Sequence, residues 1–74
     1  MQIIFRVETR YGIHDYDTLS AARNAAKPED HIQFVVGGLN VLSRVTRRGA
    51  TSSWAKRVVD RNGLDGLVDY SKLF

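Results

Sequence analysis

The sequence predicts a small α+β domain, with two helices packed on one face of an antiparallel sheet of three to four strands. Apolar residues alternate with polar ones near the N-terminus and again in the middle of the chain, and a capped helical segment follows each of these regions. The 74 residues are enough for one domain, residues 1–74. The composition is 43% apolar and 26% charged, so we expect a folded chain rather than a disordered one.

The first strand is predicted over residues 2–8, QIIFRVE, because every second side chain there is apolar and faces inward: Ile3, Phe5 and Val7. A turn at Tyr11 and Gly12 leads into residues 11–18. This segment either returns as a second strand or stays a loop, since its aspartates are poor strand residues. Asp17 or Thr18 then caps a helix that continues through LSAARNAAK and stops at Lys27, because a proline follows.

The next strand is predicted in HIQFVV, residues 31–36, followed by a turn at Gly37 and Gly38 and a returning strand in LNVLSRVTRR. Strict alternation assigns five of their side chains to the inner face: Ile32, Phe34, Val36, Val41 and Val45. It leaves three apolar side chains facing outward, as a second contact layer or a partner surface: Ile4, Val35 and Leu42.

The second helix is predicted after Gly49, capped by one of the hydroxyl residues at 51–53, and ends at Arg61 or Asn62 before Gly63. Its apolar face is formed by Trp54, Ala55, Val58 and Val59. Residues 64–74 fit either a short helical turn or an edge strand. The order is therefore β-β-α-β-β-α, which we prefer, or the ferredoxin-like β-α-β-β-α-β.

Positive charge is concentrated in one quarter of the chain, although the net charge is only +3. Residues 44–61 hold six of the eleven basic residues against the single acid Asp60. These six are the predicted binding residues: Arg44, Arg47, Arg48, Lys56, Arg57 and Arg61. They would form one continuous patch if the end of the strand and the following helix met at the corner between residues 47 and 51.

No catalytic, metal or cofactor site is predicted. The chain has no cysteine, and strand alternation turns His14 away from Asp15 and Asp17. The glycine pair at 37–38 lacks the Lys-Ser/Thr ending of a phosphate loop. The N-terminal apolar run is too short for a signal peptide or membrane span, so we expect a cytoplasmic protein with no membrane partner.

Nucleic acid is one predicted partner of the basic residues. A helix-turn-helix does not fit, because Asp69 occupies a position that should be apolar. An RNA-recognition motif does not fit either, because the returning strand has no aromatic residue on which a base could stack. Any contact with DNA or RNA would therefore be made mainly to backbone phosphates, with little dependence on sequence.

A protein or nucleoprotein is the other predicted partner. The layout of residues 2–48, with its strand pair and the alanine-rich helix DTLSAARNAAK, resembles that of small phage-encoded inhibitors of host machinery. These include anti-CRISPR inhibitors of type I systems and inhibitors of host RNA polymerase. The resemblance implies a non-enzymatic protein that occupies a site on a host complex by direct contact, although many such proteins are acidic and this one is basic. Tyr11 and Tyr16 are candidate interface aromatics, and we expect a monomer or homodimer.

Overall fold

A computed structural model describes residues 1–74 and shows one antiparallel sheet with two helices. The strands are β1 (Ile3–Thr9), β2 (Gly12–Tyr16), β3 (His31–Val36) and β4 (Asn40–Thr46); the helices are α1 (Leu19–Ala25) and α2 (Ser52–Arg61). The strands lie in the order β2-β1-β3-β4, and each neighbouring pair is antiparallel. Two 3-10 turns follow β4 and α2, at Arg47–Gly49 and Tyr70–Leu73. The predicted β-β-α-β-β-α order is confirmed.

The core lies between the helices and one side of the sheet, which we call the inner face. Phe5 of β1 and Phe34 of β3 are register partners, fully buried, with ring centroids 5.2 Å apart in an edge-on arrangement. The Trp54 ring of α2 lies 6.3 Å from the first ring and 6.1 Å from the second. Its indole N–H donates to the Ser43 hydroxyl at 3.0 Å, which satisfies the only polar atom of the indole. These contacts fix α2 against β3 and β4.

A threonine side chain caps the N-terminus of each helix. Thr18 accepts a hydrogen bond from a backbone N–H of α1, and Thr51 does the same for α2. Helix α1 ends at Ala25, earlier than the predicted Lys27. The Lys27 N–H donates to the carboxylate of Asp30 at 2.9 Å and therefore makes no helical hydrogen bond. Pro28 follows directly and disfavours helical geometry at Lys27.

A β-bulge in β4 corrects the predicted faces of two residues. The register between β3 and β4 shifts so that Phe34 pairs with Ser43 but Val35 pairs with Val41, which leaves Leu42 as an extra residue. One extra residue reverses the alternation beyond it. Val41 therefore lies on the outer face, 46% exposed, instead of inward, and Leu42 packs against the core instead of facing outward.

Val35 lies on the outer face of the sheet as predicted, but it is fully buried rather than exposed. The Arg6 guanidinium on this face donates to the carbonyl of Gly38, in the turn beyond β3, at 3.1 Å. This contact requires the turn beyond β3 to approach Arg6 on the outer face. Gly37 and Gly38 allow it, because both adopt positive φ values, 64° and 81°.

The C-terminal segment is not a strand, and its helical turn falls at Tyr70–Leu73. Leu73 is fully buried in the core, and the Ser20 N–H of α1 donates to the Phe74 carbonyl at 2.8 Å. Asp69 begins the turn by accepting bonds from the Ser71 hydroxyl and N–H, which lower the pKa of its carboxyl. Neither helix has the length and apolar character needed to cross a membrane.

Candidate functional site

Helix α2 separates into a buried apolar face and an exposed charged face. Its buried side chains are the predicted ones, Trp54, Ala55, Val58 and Val59. Its exposed charged side chains are Lys56, Arg57, Asp60 and Arg61. Because the apolar side chains are buried against the sheet, the basic side chains on the opposite side of the helix point into solvent. The exposed cations Lys56, Arg57 and Arg61 are called the α2 basic face below.

Neither arginine of the α2 basic face has a carboxylate partner. The molecule has two side-chain ion pairs, and both lie on the sheet. Arg57 and Arg61 are four residues apart, so they are neighbours of like charge, which costs a helix a few tenths of a kcal/mol. Lys56 lies over the ring of Phe74, with its ammonium 4.8 Å from the ring centre. The two arginines are thus free to meet a ligand.

Arg44 does not join the α2 basic face. It lies on the outer face of the sheet, as the register partner of Gln33, whereas α2 packs on the inner face. Its guanidinium contacts the carboxylate of Glu8 at 2.6 Å and 2.8 Å. The strand that carries Glu8 is not adjacent to β4, so this ion pair reaches across β3. The structure therefore separates Arg44 from the cations with which the sequence grouped it.

Arg47 is half-buried and locked to Arg23 of α1. Its Nε donates to the Arg23 carbonyl at 2.8 Å. In return, Nη1 of Arg23 donates to the carbonyls of Arg47 at 3.0 Å and Ala50 at 2.6 Å. These bonds hold the end of α1 to the corner between β4 and α2. Sequence reasoning missed Arg23, because a basic residue in the last turn of a helix usually indicates a solvated surface.

Arg48 is exposed and makes no hydrogen bond or ion pair within the protein. It contributes to a pocket of about 410 Å³ at the corner. The residues that line this pocket are Arg23, Pro28, Thr46, Arg47 and Arg48. We call it the corner pocket. Two of the six predicted cations thus lie there, beside an arginine from another element.

The two predicted interface tyrosines line one cleft. Tyr11, in the β1–β2 turn, is 86% exposed, and the Arg10 guanidinium carbon lies 5.5 Å from its ring centre. Tyr16 is partly buried against the core. The cleft measures about 330 Å³ and includes His14 of β2 and Lys27 beyond α1. The structure brings the tyrosines together, at a site distinct from the α2 basic face and the corner pocket.

The acidic residues near this cleft do not converge on a common centre. Asp15 faces the outer side of the sheet and accepts two bonds from Arg6, at 2.7 Å and 3.1 Å. These bonds and the guanidinium charge lower the pKa of the Asp15 carboxyl and raise the pKa of Arg6. His14 is on the inner face. No group of three or more metal-ligating side chains forms anywhere in residues 1–74.

Comparison with protein families, curated proteins and solved structures finds no match to this chain. The geometry of the charged residues is therefore the feature that indicates a function. Of the six predicted cations, three form the α2 basic face, two contribute to the corner pocket, and Arg44 pairs with Glu8 on the opposite side of the sheet.

Proposed function

We propose that this protein is a non-catalytic binding module that docks through the α2 basic face on an acidic surface of a macromolecular partner. One observation carries the proposal. Arg57 and Arg61 are exposed without a carboxylate, in a chain that pairs Arg6 and Arg44 with carboxylates on the sheet. Unpaired cations on a rigid helix steer association with an acidic surface and keep their donors free for the contact.

The rigidity of α2 supports this role. Trp54 packs against two phenylalanines and donates to Ser43, and Thr51 caps the first turn. The arginine side chains therefore project from a fixed backbone, which reduces the entropy lost when a partner binds. Five of the six basic residues between positions 44 and 61 are arginines, and the planar guanidinium suits bidentate contact with carboxylates and phosphates.

The partner we propose is a host nucleoprotein complex, which the protein would occupy and block in the cytoplasm. The layout resemblance to phage-encoded inhibitors supports this choice, with type I CRISPR complexes and host RNA polymerase as the first candidates. A complex of this kind offers both acidic protein surface and nucleic-acid phosphate. The cations of the α2 basic face are suited to either kind of group.

The test compares two double charge reversals in a pull-down. The purified protein is immobilised and exposed to a type I CRISPR complex, to bacterial RNA polymerase and to a bacterial lysate. Arg57→Glu with Arg61→Glu should abolish capture of the specific partner. Arg10→Glu with Lys27→Glu changes the charge equally at exposed positions of the tyrosine cleft, away from α2, and it should leave capture intact because the proposal places docking on α2 and not on that cleft. Equal loss in both variants, or no loss in either, would contradict the proposal.

Free nucleic acid is the alternative partner, and the predominance of arginine favours it. Fluorescence anisotropy with labelled duplex and single strands separates the two functions. If three cations each neutralise one phosphate of duplex DNA, affinity should fall about 40-fold between about 50 and 200 mM salt. Tight binding with that slope would make nucleic acid the partner. Absence of binding at the lower salt would exclude this alternative and leave the host complex.

A further inference from the structure

We infer that the corner pocket is a binding site for a phosphate group. Three arginines, Arg23, Arg47 and Arg48, line one pocket of about 410 Å³ together with Thr46 and Pro28. The site is separate from the α2 basic face. Its test uses phosphate itself, so the result does not depend on whether α2 docks on a partner.

Two of the three guanidiniums are held in place before any ligand arrives. Arg23 and Arg47 each donate to the backbone carbonyl of the other, and Arg23 also donates to the carbonyl of Ala50. Both side chains are half-buried. A long side chain normally loses rotamer freedom when it binds an anion, but here the folded protein has already fixed these two.

The fixed guanidiniums keep donors for a ligand. Arg23 uses Nη1 and Arg47 uses Nε in the protein, which leaves two nitrogens of each guanidinium without a protein acceptor. No buried side-chain nitrogen or oxygen in the molecule lacks a hydrogen-bond partner. The unused nitrogens of Arg23 and Arg47 therefore reach solvent. An oxyanion in the pocket could accept from them.

No acidic side chain lines the pocket, and the two ion pairs of the molecule lie elsewhere. Three neighbouring guanidiniums repel one another, and a bound anion would offset that repulsion. A phosphate suits the site better than a carboxylate does, because its several oxygens can accept from more than one guanidinium at once. The hydroxyl of Thr46 offers a further donor.

Nuclear magnetic resonance of the arginine Nε–Hε groups tests the site directly. The folded protein is titrated with inorganic phosphate and, separately, with a short oligothymidylate. The signals of Arg23, Arg47 and Arg48 should shift first and furthest, while that of Arg10 should move little. Saturation at a lower concentration of oligothymidylate would identify a nucleic-acid strand as the source of the phosphate. Saturation at a lower concentration of inorganic phosphate would identify the free anion. Either result supports the site.

Substitutions separate local binding from overall charge. Arg48→Ala removes a guanidinium that makes no bond within the protein and should weaken phosphate binding about tenfold. Arg10→Ala removes the same charge elsewhere and should have little effect. Arg23→Lys keeps the positive charge but loses the planar guanidinium, so it should also weaken phosphate binding. If Arg23→Lys does not fold, Arg48→Lys makes the same test. The proposal is wrong if all eight arginine signals shift alike, if none shifts, or if Arg48→Ala and Arg10→Ala bind phosphate equally.

Discussion

Arginines on the outer face of the sheet differ from those on α2 in what they contact. Arg6 donates to Asp15 through two nitrogens, and Arg44 reaches across a strand to Glu8. Arg57 and Arg61 form no ion pair. The paired residues connect β1 with β2 and β1 with β4, whereas Arg57 and Arg61 connect α2 to no other element through an ion pair. The acceptor of an arginine, rather than its charge, therefore indicates its role.

The corner between β4 and α2 shows a third arrangement. Arg23 and Arg47 have backbone carbonyls as acceptors, so their bonds hold the corner together but leave the full positive charge in place. An arginine of this kind both stabilises the fold and attracts an anion. Substitutions of arginines in each arrangement test this division, from the largest expected effect on stability to the smallest.

Arg23→Ala should destabilise the protein most, by about 2–3 kcal/mol, because it leaves two half-buried carbonyls without their charged donor. Urea denaturation followed by circular dichroism measures the change. Arg48→Ala at the same corner, where the side chain has no protein acceptor, is the matched control and should change stability by less than about 0.5 kcal/mol. Equal effects of the two substitutions would show that the locked pair does not hold the corner.

Arg6→Ala should cost about 1–2 kcal/mol, because the guanidinium bonds both the Asp15 carboxylate and the Gly38 carbonyl while its side chain is only 16% exposed. Arg44→Ala should cost less, about 0.5 kcal/mol, since both members of its ion pair are substantially exposed. The same urea titration measures both. A larger loss for Arg44→Ala would contradict this ranking.

Acid should remove the stability that the ion pair between Asp15 and Arg6 contributes to the fold. Its pKa in the folded protein is lower than in the unfolded chain, so the Arg6 pair adds stability above the unfolded value, about 3.9, and loses it as pH falls through the folded value. Asp15→Asn should lose this part of the acid sensitivity. Unfolding curves from neutral pH down to acid, for both proteins, measure it. Curves that stay parallel throughout would show that the pair contributes nothing.

Arg57→Ala should have the smallest effect, within about 0.5 kcal/mol in either direction. Arg57→Glu should also stay within about 0.5 kcal/mol, because it exchanges a repulsion with Arg61 for an attraction but an attraction to Asp60, three residues on, for a repulsion. Thermal unfolding at low salt, where these interactions are least screened, measures the difference. Marked destabilisation by either substitution would show that Arg57 has a structural role in the fold.

Local patterns in the sequence were sufficient to predict much of the fold. Alternation located β1 and β3, hydroxyl residues marked the helix starts, and helical periodicity separated the two faces of α2. The bulge at Leu42 could not be predicted, because it depends on the register of β4 against β3. The partners of Arg44 and Arg47 could not be predicted either. Glu8 and Arg23 are 36 and 24 residues away along the chain, and only the folded sheet and helix bring them close.

The most direct test of docking through the α2 basic face compares partner binding by two variants that each lack two arginines. One is Arg57→Ala with Arg61→Ala; the other is Arg6→Ala with Arg44→Ala. Their affinities for the captured host complex, or for nucleic acid if that is the partner, are measured at a temperature where both variants are folded. The first variant should lose binding, whereas the second should bind as the unsubstituted protein does. Equal affinities for the two variants, or loss of binding only in the second, would contradict docking through this face.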